Sequence, residues 1–498
     1  MAVAAGAVGT IAAVAYHRAG LSLSHYDARA HLVVARRILD SLTPGWEQVG
    51  AVWLPLPHLL NAVPVQLDLF YRSGASAVAI SVLSFTAAVY AVGGLVTAAT
   101  GSRAGGVAAS AALMLNPTLL YLQSTPMTEP LLIGLTTTGL LLAYRWVEAP
   151  GATSAVWPGL VLGLACLTRY EAWPVTAAAV ALSFVVLWRR DRQALTAIRQ
   201  AARLAGPPVA AIVLFLLLSR ATVGEWFVTG GFFVPDNPAR GLPAFVAIQV
   251  LWGLRQLSGN VLTAGAAAGL VLLLTRVLRE RDRSTMLLLL AGGAAAALPA
   301  YAFFGGHPFR IRYMASLVPV CALLSGVAVG LLPRWRAAAA SVLVIGSALA
   351  VKPWDQRSPM ILEAQWDRPW SARRTPVTGC LSAAHRSGQK VLASMGSLAH
   401  YMQETSRAGF GIRDYVHEGN GVLWTESLVR PDRHVDWILI EEIAEGGDLL
   451  SARSKEQPDF LRGFDRVCEG GGLALYKRAK PAAPVLSTRE LTPFRTSR

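Results

Sequence analysis

The first 351 residues contain no lysine; the first in the chain is Lys352. Charge of either sign is scarce, at 15% of 498 residues, where soluble proteins average about 25%. There are four cysteines, with no C-x-x-C pair and no His/Cys cluster spaced for structural zinc. No Walker or G-x-G-x-x-G pattern occurs, which excludes an ATP-driven pump. What is abundant is apolar: 53% of the chain is hydrophobic, with a mean hydropathy of +0.44. Apolar runs long enough to cross a hydrocarbon core of about 30 Å recur up to residue 350. This is the composition of a polytopic membrane protein.

The formal net charge of +15 does not point to nucleic acid. Its arginines cluster in short connectors and are not interleaved with aromatics. Apolar runs begin near Ala2, Ala75, Gly105, Met127, Val156, Ala172, Leu204, Leu257, Thr285, Ile311 and Ala337, which predicts about eleven transmembrane helices. The first lacks a basic flank and reads as a membrane helix rather than a cleaved signal. Arg103, Arg145, the Arg189–Arg203 group, the Arg276–Arg283 group and Arg334/Arg336 fall on alternate turns of the chain. Such loops are cytoplasmic. The N-terminus is then cytoplasmic, and the opposite face holds residues 21–74, Asn116–Glu129, Arg169–Trp173, the Thr222–Gln256 loop, Gly305–Arg312 and everything after Val351.

Beyond Val351 the apolar runs shorten. Val391–Gly396, Val435–Ile440 and Leu473–Tyr476 read as short buried strands, and Cys380–Ser387 and Asp459–Phe464 as helical. The expected organisation is an all-α transmembrane domain over 1–351, a small extracytoplasmic α/β domain over 352–480, and a disordered Pro/Arg-rich tail over 481–498. Cys166 and Cys321 lie in apolar spans as packing residues. Cys380 and Cys468 fall in the outer domain, where a disulfide is chemically permitted.

Chemistry is expected where charge interrupts apolar sequence, because carboxylates beside a membrane are costly to hold. Ser24-His25-Tyr26-Asp27 opens a segment with Leu32, Ala35, Leu39 and Leu42 at helical spacing, which predicts an amphipathic helix lying along the membrane surface. Asp27 and His31 share a face. Ser24-x-x-Asp27 also fits a capping box, a purely structural role. Thr125-Pro126-Met127-Thr128-Glu129-Pro130 sets a carboxylate at a helix start, where the dipole favours it. Arg169-Tyr170-Glu171 places an ion pair between two apolar runs. His307-Pro308-Phe309-Arg310-Ile311-Arg312-Tyr313 opens a late helix with two arginines. Each site has a bland reading in isolation; their shared membrane face does not. A carboxylate can take an acceptor proton, and arginines can grip a phosphate.

These motifs resemble the integral-membrane glycosyltransferases of the GT-C fold, close to the protein O-mannosyltransferase and aminoarabinose transferase type. The resemblance rests on Asp27 followed by Ala35-Arg36-Arg37, on Met127-Thr128-Glu129-Pro130, on Arg169-Tyr170-Glu171 and on Arg312-Tyr313. It covers most of residues 1–350, and its motifs are short. It implies a polyprenyl-phosphate sugar donor, an extracytoplasmic acceptor (protein, lipid or glycan) and inversion at the sugar carbon. By position it implies Asp27 as general base with Glu129 beside it, and Arg310 or Arg312 on the lipid phosphate. His31, Arg169, Glu171, His307 and Tyr313 would line the substrate cavity. Ala28 stands where many relatives carry a second acid, so Asp27 acts alone or with His31 or Glu129. Asp27, His31 and Glu129 could instead bind a divalent metal, as outer acids do in parts of that superfamily. A nucleotide-sugar donor fits poorly, because the cytoplasmic connectors are too short for a Rossmann-like domain. The rival class is a multi-pass transporter or lipid flippase with an outer accessory domain. Internal repeats and mid-membrane charges, which mark that class, are not seen.

Overall fold

The computed structural model describes residues 1–50, 52–226 and 237–479. Among them, seven helices are long and apolar enough to cross a membrane: Ala75–Thr100, Glu129–Glu148, Ala172–Asp191, Ala194–Val223, Asn260–Arg279, Asp282–Phe304 and Ile311–Leu331. Four expected starts open shorter helices, Ala2–Arg18, Arg103–Met114, Val156–Cys166 and Arg336–Val351. Small residues let these helices approach closely. A Cβ on Gly269 would run into the Leu324 carbonyl, and one on Gly134 would lie 2.6 Å from the Ser84 carbonyl. The core that results is continuous, running from Ala5 through Phe85, Val92, Leu113 and Leu141 to Val327.

The Thr222–Gln256 stretch, expected as a loop, is a helix from Pro243 to Ser258 over its second half. Val246, Val250, Gly253 and Leu257 are buried at helical spacing, a pattern that settles the conformation. The centre of that stretch, and the expected C-terminal tail, lie outside the described residues.

The C-terminal region carries one five-stranded sheet. Its strands are β1 (Val391–Ala393), β2 (Tyr415–Val416), β3 (Trp437–Glu441), β4 (Phe464–Gly470) and β5 (Leu473–Arg478), in the order β2-β1-β3-β5-β4. β1 pairs in parallel with β2 and β3, while β5 is antiparallel to β3 and β4. Strands β1, β3 and β5 were legible. The two edge strands were not: β2 is only two residues long, and in β4 only Phe464 of Phe-Asp-Arg-Val-Cys-Glu-Gly is buried. The expected helix over Asp459–Phe464 is a single tight turn, Pro458–Leu461, that leads into β4. Cys380 and Cys468 are joined by a disulfide across 88 residues, tying the helix Thr375–Ala384 to β4. Cys166 and Cys321 are buried free thiols.

The helix carrying Asp27 runs from Tyr26 to Arg37 and is buried on nearly every side, which corrects the expected surface orientation. It is wedged between the helix Leu56–Ala62 and the sheet-region helix Met395–Thr405. Leu32 and Ala35 pack with Leu398 and Tyr401, while Leu39, past the helix end, is 54% exposed. The expected Ser24 cap is also replaced. His25 caps the helix, its Nδ1 accepting from the Asp27 amide at 3.1 Å, while Ser24 donates to the Leu21 carbonyl.

Candidate active site

Four helix beginnings converge under the sheet region. Asp27 sits in the first turn of Tyr26–Arg37, where the helix dipole favours an anion. Glu129 opens Glu129–Glu148, and Arg169 and Glu171 precede Ala172–Asp191. Arg312 lies in the first turn of the helical segment that starts at Ile311. All five side chains are buried or nearly so.

Two guanidiniums organise three carboxylates. Arg312 pairs with Asp27 through Nη1. Arg169 reaches Glu171 at 2.8 Å and Glu129 at 3.1 Å, and donates to Thr128 Oγ1 at 3.0 Å. Burial alone would raise the Asp27 pKa. The Arg312 charge instead holds its carboxyl well below the usual range, so it stays ionised. Both Glu129 oxygens nevertheless receive no hydrogen bond, and neither Nε nor Nη1 of Arg312 makes one of good geometry. Buried charge with unused hydrogen-bonding capacity is uncommon in finished structural clusters.

A histidine pair borders the cluster. His31 Nδ1 lies 3.1 Å from His58 Nε2, and His58 Nδ1 lies 3.1 Å from the Leu54 carbonyl. Trp53 packs on the His31 ring at 4.2 Å between centroids. Burial drives His58 down to about 3 and His31 well below the ordinary imidazole value, so both are neutral. Next to them is a small opening bordered by His31, His58, Asn61, Ser81 and Thr128. A second, apolar opening lies between the helices and has Glu171 on its wall.

Solved structures share this architecture. The crystal structure of ArnT from Cupriavidus metallidurans bound to undecaprenyl phosphate matches with a TM-score of 0.58 at 14% identity, covering 95% of this chain and 99% of that one. The same protein in the apo state gives 0.56 at 14% identity, over 95% and 98%. Archaeal oligosaccharyltransferase AglB from Archaeoglobus fulgidus, in complex with an inhibitory peptide and a dolichol-phosphate, gives 0.51 at 13% identity, over 96% and 75%. The fold is GT-C. No family model matches the sequence, and no curated protein does.

Within this GT-C fold the expected site residues divide into groups. Asp27, Glu129, Arg169, Glu171 and Arg312 form one cluster, and His31 stands at its edge. Tyr313 joins through its ring, 5.6 Å from the Arg312 guanidinium, and its hydroxyl meets His307 Nε2 at 3.2 Å. Arg310 is extended and forms the N-cap position of the segment at Ile311. Arg36 and Arg37 turn away. Arg36 holds Asp40 and Asp68 and lies over Tyr71, while Arg37 donates to the Gln48 carbonyl and touches Met395. That part of the motif is architectural.

The alternative of a metal held by Asp27, His31 and Glu129 does not fit. Arg312 engages Asp27 and Arg169 engages Glu129, and among the described residues no three His, Cys, Asp or Glu side chains are grouped to hold an ion.

Sequence reading missed Glu363, His25 and His58. Glu363 accepts from the backbone amides of Ile311 at 2.6 Å and Arg312 at 3.4 Å, capping the turn that presents Arg312. Burial keeps its carboxyl raised. Nothing local marks it, since its partners are more than 50 residues away. The histidines did leave a signal: four of the chain's nine fall within its first 58 residues.

Proposed function

We propose that this chain is a multi-pass glycosyltransferase of the cell membrane. It moves a sugar, a hexose such as mannose, from a polyprenyl-phosphate donor to a hydroxyl of an extracytoplasmic protein, lipid or glycan, with inversion. The observation that carries this reading is the buried cluster of Asp27, Glu129, Glu171, Arg169 and Arg312, whose hydrogen-bonding capacity is incompletely used. A phosphate entering there finds Arg312, with Arg310 close by in sequence, for bidentate contact and for stabilising its charge as it leaves. When Arg312 turns to the phosphate, Asp27 is released as the acidic element of the base that receives the acceptor proton. Arg169 holds Glu129 and Glu171 in place. Residues 1–351 form the transmembrane catalytic part, with the N-terminus cytoplasmic. Residues 352–480 form the extracytoplasmic part, which closes over Asp27.

The test is transfer of radiolabelled sugar by the purified protein in lipid nanodiscs, from undecaprenyl phosphate carrying mannose, glucose or galactose. Acceptors are a Ser/Thr peptide, a lipid alcohol and an alkyl glycoside. Asp27→Asn is expected to abolish transfer while leaving the protein folded and inserted. Near-normal turnover in that variant rules out Asp27 as part of the base. Movement of a labelled solute into liposomes without sugar transfer would instead establish a transporter.

A further inference from the structure

On the reading of this chain as a glycosyltransferase, we infer that the acceptor alcohol enters the opening beside His31 and His58 and gives its hydroxyl proton to Nε2 of His31. The tautomer of His31 follows from a chain of hydrogen bonds. The Leu54 carbonyl can only accept, so His58 Nδ1 carries a proton and donates to it. A neutral His58 then has a bare Nε2, which must accept from His31 Nδ1. His31, also neutral, is left with a bare Nε2, and among the described residues no group hydrogen-bonds to that atom. Trp53 packed on the ring restrains its rotation. The pair thus presents an oriented lone pair in a neutral imidazole on a residue that lines this opening.

Position connects that lone pair to the reacting centre. His31 follows Asp27 by one helical turn, and Thr128 on the wall of the opening is held by Arg169, the residue that grips Glu129 and Glu171. The charged and titratable groups acting on His31 are His58, Asp27, Arg169 and Arg312. Of these only the Asp27 carboxylate steadies an imidazolium. In the step, the acceptor oxygen bonds to the sugar's anomeric carbon as the bond from that carbon to the phosphate oxygen breaks. The polyprenyl phosphate leaves with the electron pair. The hydroxyl proton goes to His31 Nε2, and from there to water once the product has left. Asp27 is then the anion that offsets the charge on His31, in the way a carboxylate supports a catalytic histidine elsewhere.

Two measurements on the full-length protein in nanodiscs test this. In ¹⁵N-histidine spectra at neutral pH, His31 and His58 are both expected to carry their proton on Nδ1; a proton on Nε2 of His31 overturns the inference. In the sugar-transfer assay, His31→Asn keeps a donor toward His58 but has no basic nitrogen to take the proton. Its kcat is expected to fall about 100-fold or more, with donor KM within about threefold and the acid limb of the pH profile lost. In the wild type that limb lies below pH 6.5, because His31 resists protonation. A wild type inert toward every donor removes the glycosyltransferase reading itself. An active wild type with an unchanged His31→Asn pH profile removes only the role given to His31.

Discussion

Asp27 and Arg29 stand two residues apart on one helix and enter two different buried charge clusters. Arg29 pairs with Asp367 and Glu404, and Arg374 bridges the same two carboxylates. There the charges balance, two against two, and both acids are well supplied. Arg374 reaches the two Asp367 oxygens at 3.0 and 2.9 Å, and Ser371 donates to Glu404 at 2.9 Å. Around Asp27, three carboxylates face two guanidiniums, and Glu129 and Arg312 retain unused capacity. The cluster that fastens the sheet region to the helices leaves open only a donor on each cation, Nε of Arg29 and of Arg374, and no buried carboxylate oxygen. A cluster that receives a substrate must leave valences for it, at some cost in stability.

The largest effect that could break this contrast is expected at Arg312. Arg312→Ala should lower transfer from a polyprenyl-phosphate donor by about 10²–10³-fold per folded molecule, on top of the fall in Tm that comes from leaving the buried Asp27 carboxylate without its cation. Activity per folded molecule retained, as expected at Arg29, would erase the distinction. Arg29→Met leaves Asp367 and Glu404 short of a cation, and removing one partner of a buried pair costs about 3–5 kcal/mol. It should appear as a fall in Tm by tryptophan fluorescence, with activity per folded molecule retained. Replacing Cys380 and Cys468 by serine frees the 88-residue loop and should cost about 2–4 kcal/mol, again without changing donor KM.

The smallest effect is that of mild acid. His25, His58, His400 and His417 are held down to about 3, in each case chiefly by burial. Unfolded histidines protonate from about pH 6.5 downward, so below that value the unfolded state binds more protons and stability falls as pH falls. From pH 7 to pH 6 the loss is under about 1 kcal/mol for each histidine. Asp27, whose carboxyl is depressed, adds a loss in the same direction only below about pH 4. A Tm that is flat between pH 7 and pH 6 would mean these rings are not buried neutral.

Much of the charged cluster could be read from its setting. Asp27, Glu129, Arg169, Glu171 and Arg312 each interrupt apolar sequence at the start of a helix, where an unneeded charge is expensive. Their pairing could not be read so. Arg312 meets Asp27 across 285 positions, Glu363 caps the Arg312 turn from another segment, and His25 displaced Ser24 as the cap. Strand β4 escaped because an edge strand with one buried residue has no hydrophobic period to detect. Arg36 and Arg37 looked like companions of Asp27, but 3.6 residues per turn carries them to the far end of the helix, against Asp68 and Met395.

By itself, the sequence determined the membrane class, where the helices begin and which charged residues stand at their ends. These depend on local hydropathy and periodicity, which each segment carries whatever its partners. Only the tertiary structure decided which cation neutralises which anion, which valences remain open and which nitrogen of His31 is bare. Those depend on contacts between segments far apart in the chain, and in a buried site a shift of one hydrogen bond changes both charge and protonation.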